Sequence, residues 1–331
     1  MASVLFDVYF HVLKKYPADA DKPRRSFAKG IGVYMYYCKR VVVEACGKVN
    51  LSLDITGTAP DGYHLLETVM QSIDLRDVLV IGKRDDDEVK ITCSSPEAPG
   101  DDTNIAFKAA KEFFAATGIE EQGLSIHIDK SIPIEAGLAG GSADAAAVLC
   151  GLDRLFETAL SPEQLREIGI SVGADVPFCL SGGCALAEGK GEILTPLNKL
   201  PPCYIAIAKP PEGISTRYAF KLYDNFSGEI DRPDTRKIID GINRGDLSEI
   251  GRQMFSAFSG IGQKDETEML SGIMLCAGAL GSVLSGSGSA VIGLFDSEKK
   301  AKGCLHLLRE QIRECWLCRP TDFGARLIHV S

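Results

Sequence analysis

Ile132-Pro133-Ile134-Glu135-Ala136-Gly137-Leu138-Ala139-Gly140-Gly141-Ser142-Ala143-Asp144-Ala145-Ala146-Ala147 sets three glycines and a serine between a short apolar run and an alanine-rich run with the composition of a helix. Glycine lets the backbone approach a ligand closely and adopt positive φ, and Ser142 has the chemistry of an N-cap. The helix behind it offers free amides and the positive end of its dipole, which suits a phosphate. No Lys-Ser/Thr pair follows the last glycine, so the stretch is not a Walker A loop, and it lacks the G-x-G-x-x-G spacing of a dinucleotide fingerprint. Read without its surroundings, it is equally a glycine-rich turn before a helix.

Upstream, Leu124-Ser125-Ile126-His127-Ile128 alternates as a strand and leads through Lys130 into the loop. Residues 104–116 have a helical period, with Thr103 or Asp102 as the expected cap. Residues 41–43 and 49–55 read as two strands. Along the second, Lys48, Asn50, Ser52 and Asp54 share one face, while Val49, Leu51, Leu53 and Ile55 share the other, expected to be the core. Pro60-Asp61-Gly62 is a turn signal, and 75–81 reads as a further strand.

Downstream, the helix begun at about Ser142 is expected to reach Phe156. Ser161-Pro162-Glu163-Gln164 opens another, with capping-box spacing and a proline at its first position, ending near Gly173. A strand with turn glycines follows over 185–194, Pro201-Pro202 marks a domain junction, and 204–208 reads as a strand. Residues 235–259 read as mostly helical. A second glycine-rich stretch over 281–290 feeds a strand over 291–295, and Asp296 or Ser297 caps a helix through Ile312.

The chain's 331 residues suggest about two domains. A hydrophobic content of 45% with 24% charged residues is ordinary for a globular protein. The net charge of −9 argues against sequence-independent binding to nucleic acid or anionic membranes. Eleven scattered cysteines fit reduced thiols in the cytoplasm better than a disulfide framework. Cys315-Trp316-Leu317-Cys318 has no second pair for zinc and no thioredoxin-like context, so it reads as structural. No apolar run approaches the ~20 residues of a membrane span, and the N-terminus lacks the features of a signal peptide. Residues 1–40 show no clear period and read as a poorly ordered extension or a misassigned start, with Met35 as the alternative start; a short extra helix is the other reading.

Phosphoryl transfer needs a cradle for the donor phosphates, a cation near the transferring group and an acceptor hydroxyl held in line. The loop at 137–142 offers the cradle. Lys48 lies mid-strand, a costly place for a lysine unless it meets an anion. Asp175, in the turn Gly173-Ala174-Asp175-Val176-Pro177, could accept a hydroxyl proton. Singly, Lys48 also reads as an edge-strand charge and Asp175 as a turn former; their co-occurrence with the loop points to the chemistry.

From residue 41 to 331 the chain resembles the GHMP kinases (galacto-, homoserine, mevalonate and phosphomevalonate kinases). Four motifs carry the resemblance in order: Gly47-Lys48-Val49-Asn50-Leu51-Ser52-Leu53 with Asp61-Gly62-Tyr63-His64; residues 132–147; Gly173-Ala174-Asp175-Val176-Pro177 with Ala187-Glu188-Gly189 and Gly191-Glu192-Ile193-Leu194; and Leu284-Ser285-Gly286-Ser287-Gly288-Ser289-Ala290. The Asp-Gly-Tyr-His and Gly-Ala-Asp-Val-Pro sequences resemble the branch that phosphorylates 4-diphosphocytidyl-2-C-methyl-D-erythritol.

The resemblance implies an α+β, two-domain GHMP kinase fold. Its N-terminal ATP-binding domain, ribosomal S5 domain 2-like, would span 41–197, and a ferredoxin-like C-terminal domain 198–331, with the active site in the cleft between them. It implies ATP with Mg²⁺, a small-molecule acceptor, a cytoplasmic monomer or homodimer, and no nucleic-acid or membrane partner. Asp175 matches the general base and Lys48 the lysine beside it. Asn50 matches a residue that holds the erythritol. Tyr63 and His64 match the cytosine pocket, with Phe220 as the opposite ring. Pro133, Gly137, Leu138, Ala139, Gly140, Gly141 and Ser142 match the ATP phosphate loop, Asn104 and Lys130 positions near the adenosine, and Gly286 and Gly288 the third loop.

The chain departs from the family where Ala45-Cys46-Gly47-Lys48 replaces Pro-Ala-Lys or Tyr-Ala-Lys, and where Ala143 replaces a second Ser or Thr. Residues 1–40 and the Cys315/Cys318 pair have no family counterpart. Two alternatives stand beside this reading: another small-molecule kinase of the homoserine or mevalonate type, and a non-catalytic nucleotide-binding member.

Overall fold

The computed structural model describes residues 39–228, 230, 232, 234–261 and 264–331. The expectations for residues 1–38 lie outside the described residues.

The described residues open with a long antiparallel pair, β1 (Arg40–Thr58) and β2 (His64–Lys83), followed by β3 (Val89–Cys93). Next come α1 (Ile105–Thr117), β4 (Leu124–Asp129), α2 (Gly140–Phe156), α3 (Pro162–Val172) and α4 (Val176–Ser181), then β5 (Cys184–Gly189) and β6 (Ile193–Pro196). With β12 (Ala325–Val330) from the end of the chain, four of these strands form one sheet in the order β12-β1-β2-β4-β3, and β5 joins it at β2 with β6 beside it. Because β2 is so long it changes partner along its length: Leu66 to Gln71 pair with β5, and Val78 to Lys83 with β4.

The two strands expected over 41–43 and 49–55 are one. The interruption Glu44-Ala45-Cys46-Gly47-Lys48 breaks the alternation in sequence, yet the ladder to β2 continues across it, with a register shift between Cys46 and Lys48. The face carrying Lys48, Asn50 and Ser52 is also buried, at 5%, 2% and 0% exposure. Loops from elsewhere in the chain cover it, so this polar stripe lines the interior of a site.

Helix α2 is buried continuously from Ala143 to Leu149, as an alanine-rich helix packed on several sides must be. The capping box at Ser161 and Gln164 forms as expected, with proline at the start of α3. At α1 the cap is Asn104, whose side chain accepts from the Ala106 amide, rather than Thr103 or Asp102. Thr103 instead bonds the Asp101 carboxylate and stays at the surface.

The second half contains β7 (Tyr204–Ala208), α5 (Thr216–Asp224), α6 (Thr235–Arg244), α7 (Leu247–Gln253), β8 (Phe255–Ser256) and α8 (Lys264–Cys276). It ends with β9 (Gly281–Leu284), β10 (Val291–Phe295), α9 (Glu298–Gln311), β11 (Cys315–Cys318) and β12 (Ala325–Val330). Four of its strands make an antiparallel sheet in the order β11-β7-β10-β9. Leu270 and Met274 of α8 and Ala301, Cys304 and Leu308 of α9 pack on Ala206, Ala208, Val291 and Phe295 of that sheet. The same apolar cluster takes in Leu53 and Ile55 of β1.

Residues 198–331 do not stay with the second sheet. Strand β12 returns to pair with β1 from Val41 to Ala45, closing an edge that would otherwise leave backbone groups of a buried strand unpaired. Two-residue β8 also joins β1, within the segment 235–259 expected to be mostly helical. Cys315 and Cys318 stand three residues apart on β11, where side chains point to opposite faces, and each is buried as a free thiol. Among the described residues no helix is long and apolar enough to cross a membrane.

Candidate active site

The phosphate-type loop emerges from β4 and turns into α2. Ala139 occupies the N-cap position of α2 in a left-handed conformation, φ 56°, with no side-chain cap bond. Ser142 is therefore the third helical residue and not the cap expected from sequence. Two glycines can be absorbed into the first turn, which shifts the helix start back by two residues. The first intrahelical bond runs from the Ala143 amide to the Ala139 carbonyl, so the amides of Gly140, Gly141 and Ser142 have no acceptor within the helix. They converge at its positive end, an arrangement that attracts anions. Ala143 is 1% exposed and faces the core. A hydroxyl at this position would face the core as well.

Three loops interlock around this start. The Leu138 carbonyl accepts from the Lys48 amide at 3.1 Å, and the Gly137 carbonyl accepts from Lys48 Nζ and Ser285 Oγ, each at 3.1 Å. Gly137 has φ 73°, and a Cβ there would stand 2.0 Å from the Ser285 carbonyl. Gly286, with φ 57°, backs onto Lys48 Nζ, Asn50 Oδ1 and the Gly137 carbonyl, all 3.2–3.3 Å from where its Cβ would be. Gly288 also has positive φ in that third loop, facing the Leu284 side chain.

Lys48 Nζ is 3.9 Å from Asp175 Oδ2 and donates to Asn50 Oδ1 at 2.6 Å. Asn50 Nδ2 in turn donates to Thr68 Oγ1 at 2.7 Å, and Thr68 donates to the Ser52 carbonyl. Both ends of the Asn50 amide are thus engaged within the protein, and the residue orients the lysine. Asp175 precedes α4 and makes no cap bond with its carboxylate, whose side chain is 38% exposed. The pair therefore consists of a buried ammonium held by two hydrogen bonds and an open carboxylate.

At the other end Tyr63 stands at the β1–β2 turn, 63% exposed, with Lys190 Nζ 4.3 Å from its ring centre. Lys190 also pairs with Asp61 at 2.5 Å. His64 stacks on Phe220, ring centres 4.6 Å apart and planes 21° apart, and its Nε2 lies 2.8 Å from Asp224 Oδ1. Phe220 packs edge-on against Phe258. His64 and Phe220 are thus neighbours in one cluster, and Tyr63 stands beside them with a face open.

Pro133, Asn104 and Lys130 lie on the wall near α2. Asn104 spends its side chain on capping α1 and on the Pro99 carbonyl. Lys130 is buried between Asp77 Oδ2 at 2.5 Å and Asp144 Oδ2 at 2.8 Å. Burial works against its charge, but the two carboxylates outweigh it and raise its pKa; burial pushes the Asp144 carboxyl well up. All of the expected residues named above except Gly288 line one cleft of about 1350 Å³.

Sequence reasoning missed Thr68, Asp77, Asp144 and Lys190. Asp144 had a signal, a carboxylate within an alanine run that had to be buried. Thr68 and Asp77 had none, since their partners are distant in the chain.

Two family models match the chain: the GHMP kinases N terminal domain over residues 104–183, and the GHMP kinases C terminal domain over 238–313. A 4-diphosphocytidyl-2-C-methyl-D-erythritol kinase of Alkaliphilus metalliredigens is 38% identical over 290 residues, covering 84% of this chain and 99% of that protein. One from Caldicellulosiruptor bescii is 41% identical over 286 residues, covering 85% and 99%. Among solved structures, a 4-(cytidine 5'-diphospho)-2C-methyl-D-erythritol kinase superposes with a TM-score of 0.69 at 30% identity, over 84% of this chain and 98% of that one. A homoserine kinase from Cytophaga hutchinsonii reaches 0.70 at 21% identity, over 89% and 99%, a likeness of fold.

Proposed function

This chain belongs to the GHMP kinases, and from that premise we propose that it transfers the γ-phosphoryl group of ATP to the 2-hydroxyl of 4-diphosphocytidyl-2-C-methyl-D-erythritol, a step of non-mevalonate isoprenoid synthesis. The relatives at 38–41% identity carry the name of that activity over nearly their full length. The observation that carries the reading is the Lys48–Asp175 pair, 3.9 Å apart in the same cleft as the open amides of α2.

In this reading the acceptor hydroxyl sits beside Asp175. Its oxygen forms a bond to the γ-phosphorus as the bond to the bridging oxygen of ADP breaks, and its proton passes to the Asp175 carboxylate. Lys48, fixed by Asn50 and the Gly137 carbonyl, offers positive charge where negative charge develops. Asn50 acts by orienting Lys48 from the cleft wall, beside the place of the erythritol. The amides of Gly140, Gly141 and Ser142 hold phosphate oxygens, and Asn104 and Lys130 flank the adenosine. The open face of Tyr63 stacks on cytosine, beside the stacked His64 and Phe220.

ATP fits this chain because the α2 start presents amides without acceptors, in a loop whose glycines pack too closely on Ser285, Ile132 and Lys130 to carry side chains. Among the described residues no cluster of three or more His, Cys, Asp or Glu is placed to cage a metal. A Mg²⁺ would be held chiefly by the nucleotide's own phosphates, with the Ser142 hydroxyl in the first turn of α2 as the protein group that would join them. Such an ion neutralises phosphate charge. The ten free thiols among the described residues support a reducing, cytoplasmic setting.

The test is ADP release from ATP and Mg²⁺ with the cytidyl-methylerythritol, homoserine, mevalonate and galactose offered in turn, and Asp175→Asn run beside the parent. Turnover with the cytidyl compound alone, reduced at least a thousandfold in the variant, is expected. Turnover with a different acceptor overturns the substrate, and an active Asp175→Asn overturns the base.

A further inference from the structure

We propose that Asp77 and Asp144 are positioning residues for the nucleotide, acting through Lys130 to set the stand of the phosphate loop against the sheet. The proposal rests on the nucleotide half of the reading above.

Asp77 lies on β2, fully buried. Its Oδ1 accepts from the Ser131 amide at 2.6 Å and the Ile132 amide at 2.8 Å, while Oδ2 meets Lys130 Nζ at 2.5 Å. One carboxylate thus holds Lys130, Ser131 and Ile132, the three residues that follow β4. Lys130 then reaches forward to Asp144 on α2, so the strand and the helix on either side of the loop are tied to one ammonium. The helix start leans on this pin without spare room: a Cβ on Gly140 would be 3.0 Å from Ile132 Cγ2 and 3.2 Å from Lys130 Nζ.

The electrostatics are unusual for a structural contact. An ammonium at a helix N-terminus is opposed by the helix dipole. Two carboxylates share that one buried ammonium, and Asp144 Oδ1 is buried without a hydrogen-bond partner. Apolar side chains of the same volume would stabilise a fold at least as well. What they would not do is fix where the loop stands, since charged hydrogen bonds are directional and apolar contacts are not. The amides of Gly140, Gly141 and Ser142 take their position from this pin. Phosphate binding depends on that position to within tenths of an ångström.

The experiment uses the full chain as Asp144→Asn, Lys130→Met and the double variant. A non-hydrolysable ATP analogue with Mg²⁺ is titrated calorimetrically into each, with thermal midpoints recorded alongside. Asp144→Asn keeps the side chain's shape and the oxygen facing Lys130, so it carries the test even if Lys130→Met fails to fold. Each single variant is expected to bind the analogue about tenfold more weakly. The double variant should lose no more than the worse single, because the two act as one unit. In turnover, KM for ATP should rise about tenfold while KM for the acceptor moves less than twofold. A loss below threefold in Asp144→Asn, or losses that multiply in the double variant, overturns the proposal. A parent that binds the analogue but phosphorylates none of the acceptors overturns the acceptor reading and leaves this one to its own result. A parent that binds no analogue overturns the nucleotide reading and this proposal with it.

Discussion

Lys48 shows how much the meaning of a residue depends on what surrounds it. In a strand it reads as an edge charge, but its Nζ is held by Asn50 Oδ1 and the Gly137 carbonyl and faces Asp175. Gly286 closes the back of this arrangement. Replacing it with alanine would force a left-handed residue costing about 1–2 kcal/mol. The new methyl would also press on Lys48 Nζ and Asn50 Oδ1. Gly286→Ala is expected to lower kcat at least tenfold while KM for the acceptor stays within threefold. Full turnover in a folded Gly286→Ala would mean that the lysine can move without consequence.

At the level of elements, the caps separate what local chemistry decides from what it does not. Ser161 caps α3 through contacts within four residues, and it does so as its sequence suggests. At α1 the choice between Asp102, Thr103 and Asn104 depends on where the preceding loop lies, and Asn104 takes it with a second bond to the Pro99 carbonyl. Asn104→Ala is expected to destabilise the protein by about 1 kcal/mol, and Thr103→Ala by no more than a few tenths. Urea midpoints for the two variants check this, and a reversed order would reassign the cap. At α2 the side-chain cap is missing altogether, which leaves the amides open. A helix start that served stability alone would be expected to fill them.

Over the whole molecule, buried thiols couple stability to alkaline pH. Burial pushes Cys46, Cys184 and Cys203 each up to about 12 from an ordinary value of 9.0. A group whose pKa is higher in the folded state stabilises fully below its unfolded value and loses that contribution as pH rises toward the folded one. Stability should hold to about pH 9 and fall between pH 9 and 12. At pH 10 the loss is about 1.4 kcal/mol per thiol, or about 4 kcal/mol for the three. That corresponds to a thermal midpoint lower by about 6 °C at pH 10 than at pH 8. An unchanged midpoint, or an equal fall in a Cys184→Ala/Cys203→Ala variant, would remove these thiols as the cause.

The sequence by itself determined what short-range chemistry controls. The glycine loop before an alanine helix, the capping box at Ser161, the alternation of β4 and the motif order that marks a kinase family are all set by neighbours within a few residues. Only the tertiary structure decided the rest. It joined β1 across Gly47, because β2 lies alongside to hold the ladder. It carried β12 back to the first sheet, because β1 had an open edge. It moved the α2 start to Gly140, and it turned Lys130 toward Asp77 and Asp144. Each of these depends on groups more than ten residues apart, or on what an adjacent element leaves unpaired. Local pattern carries no trace of such partners, because a hydrogen bond or a buried charge is satisfied by proximity in space.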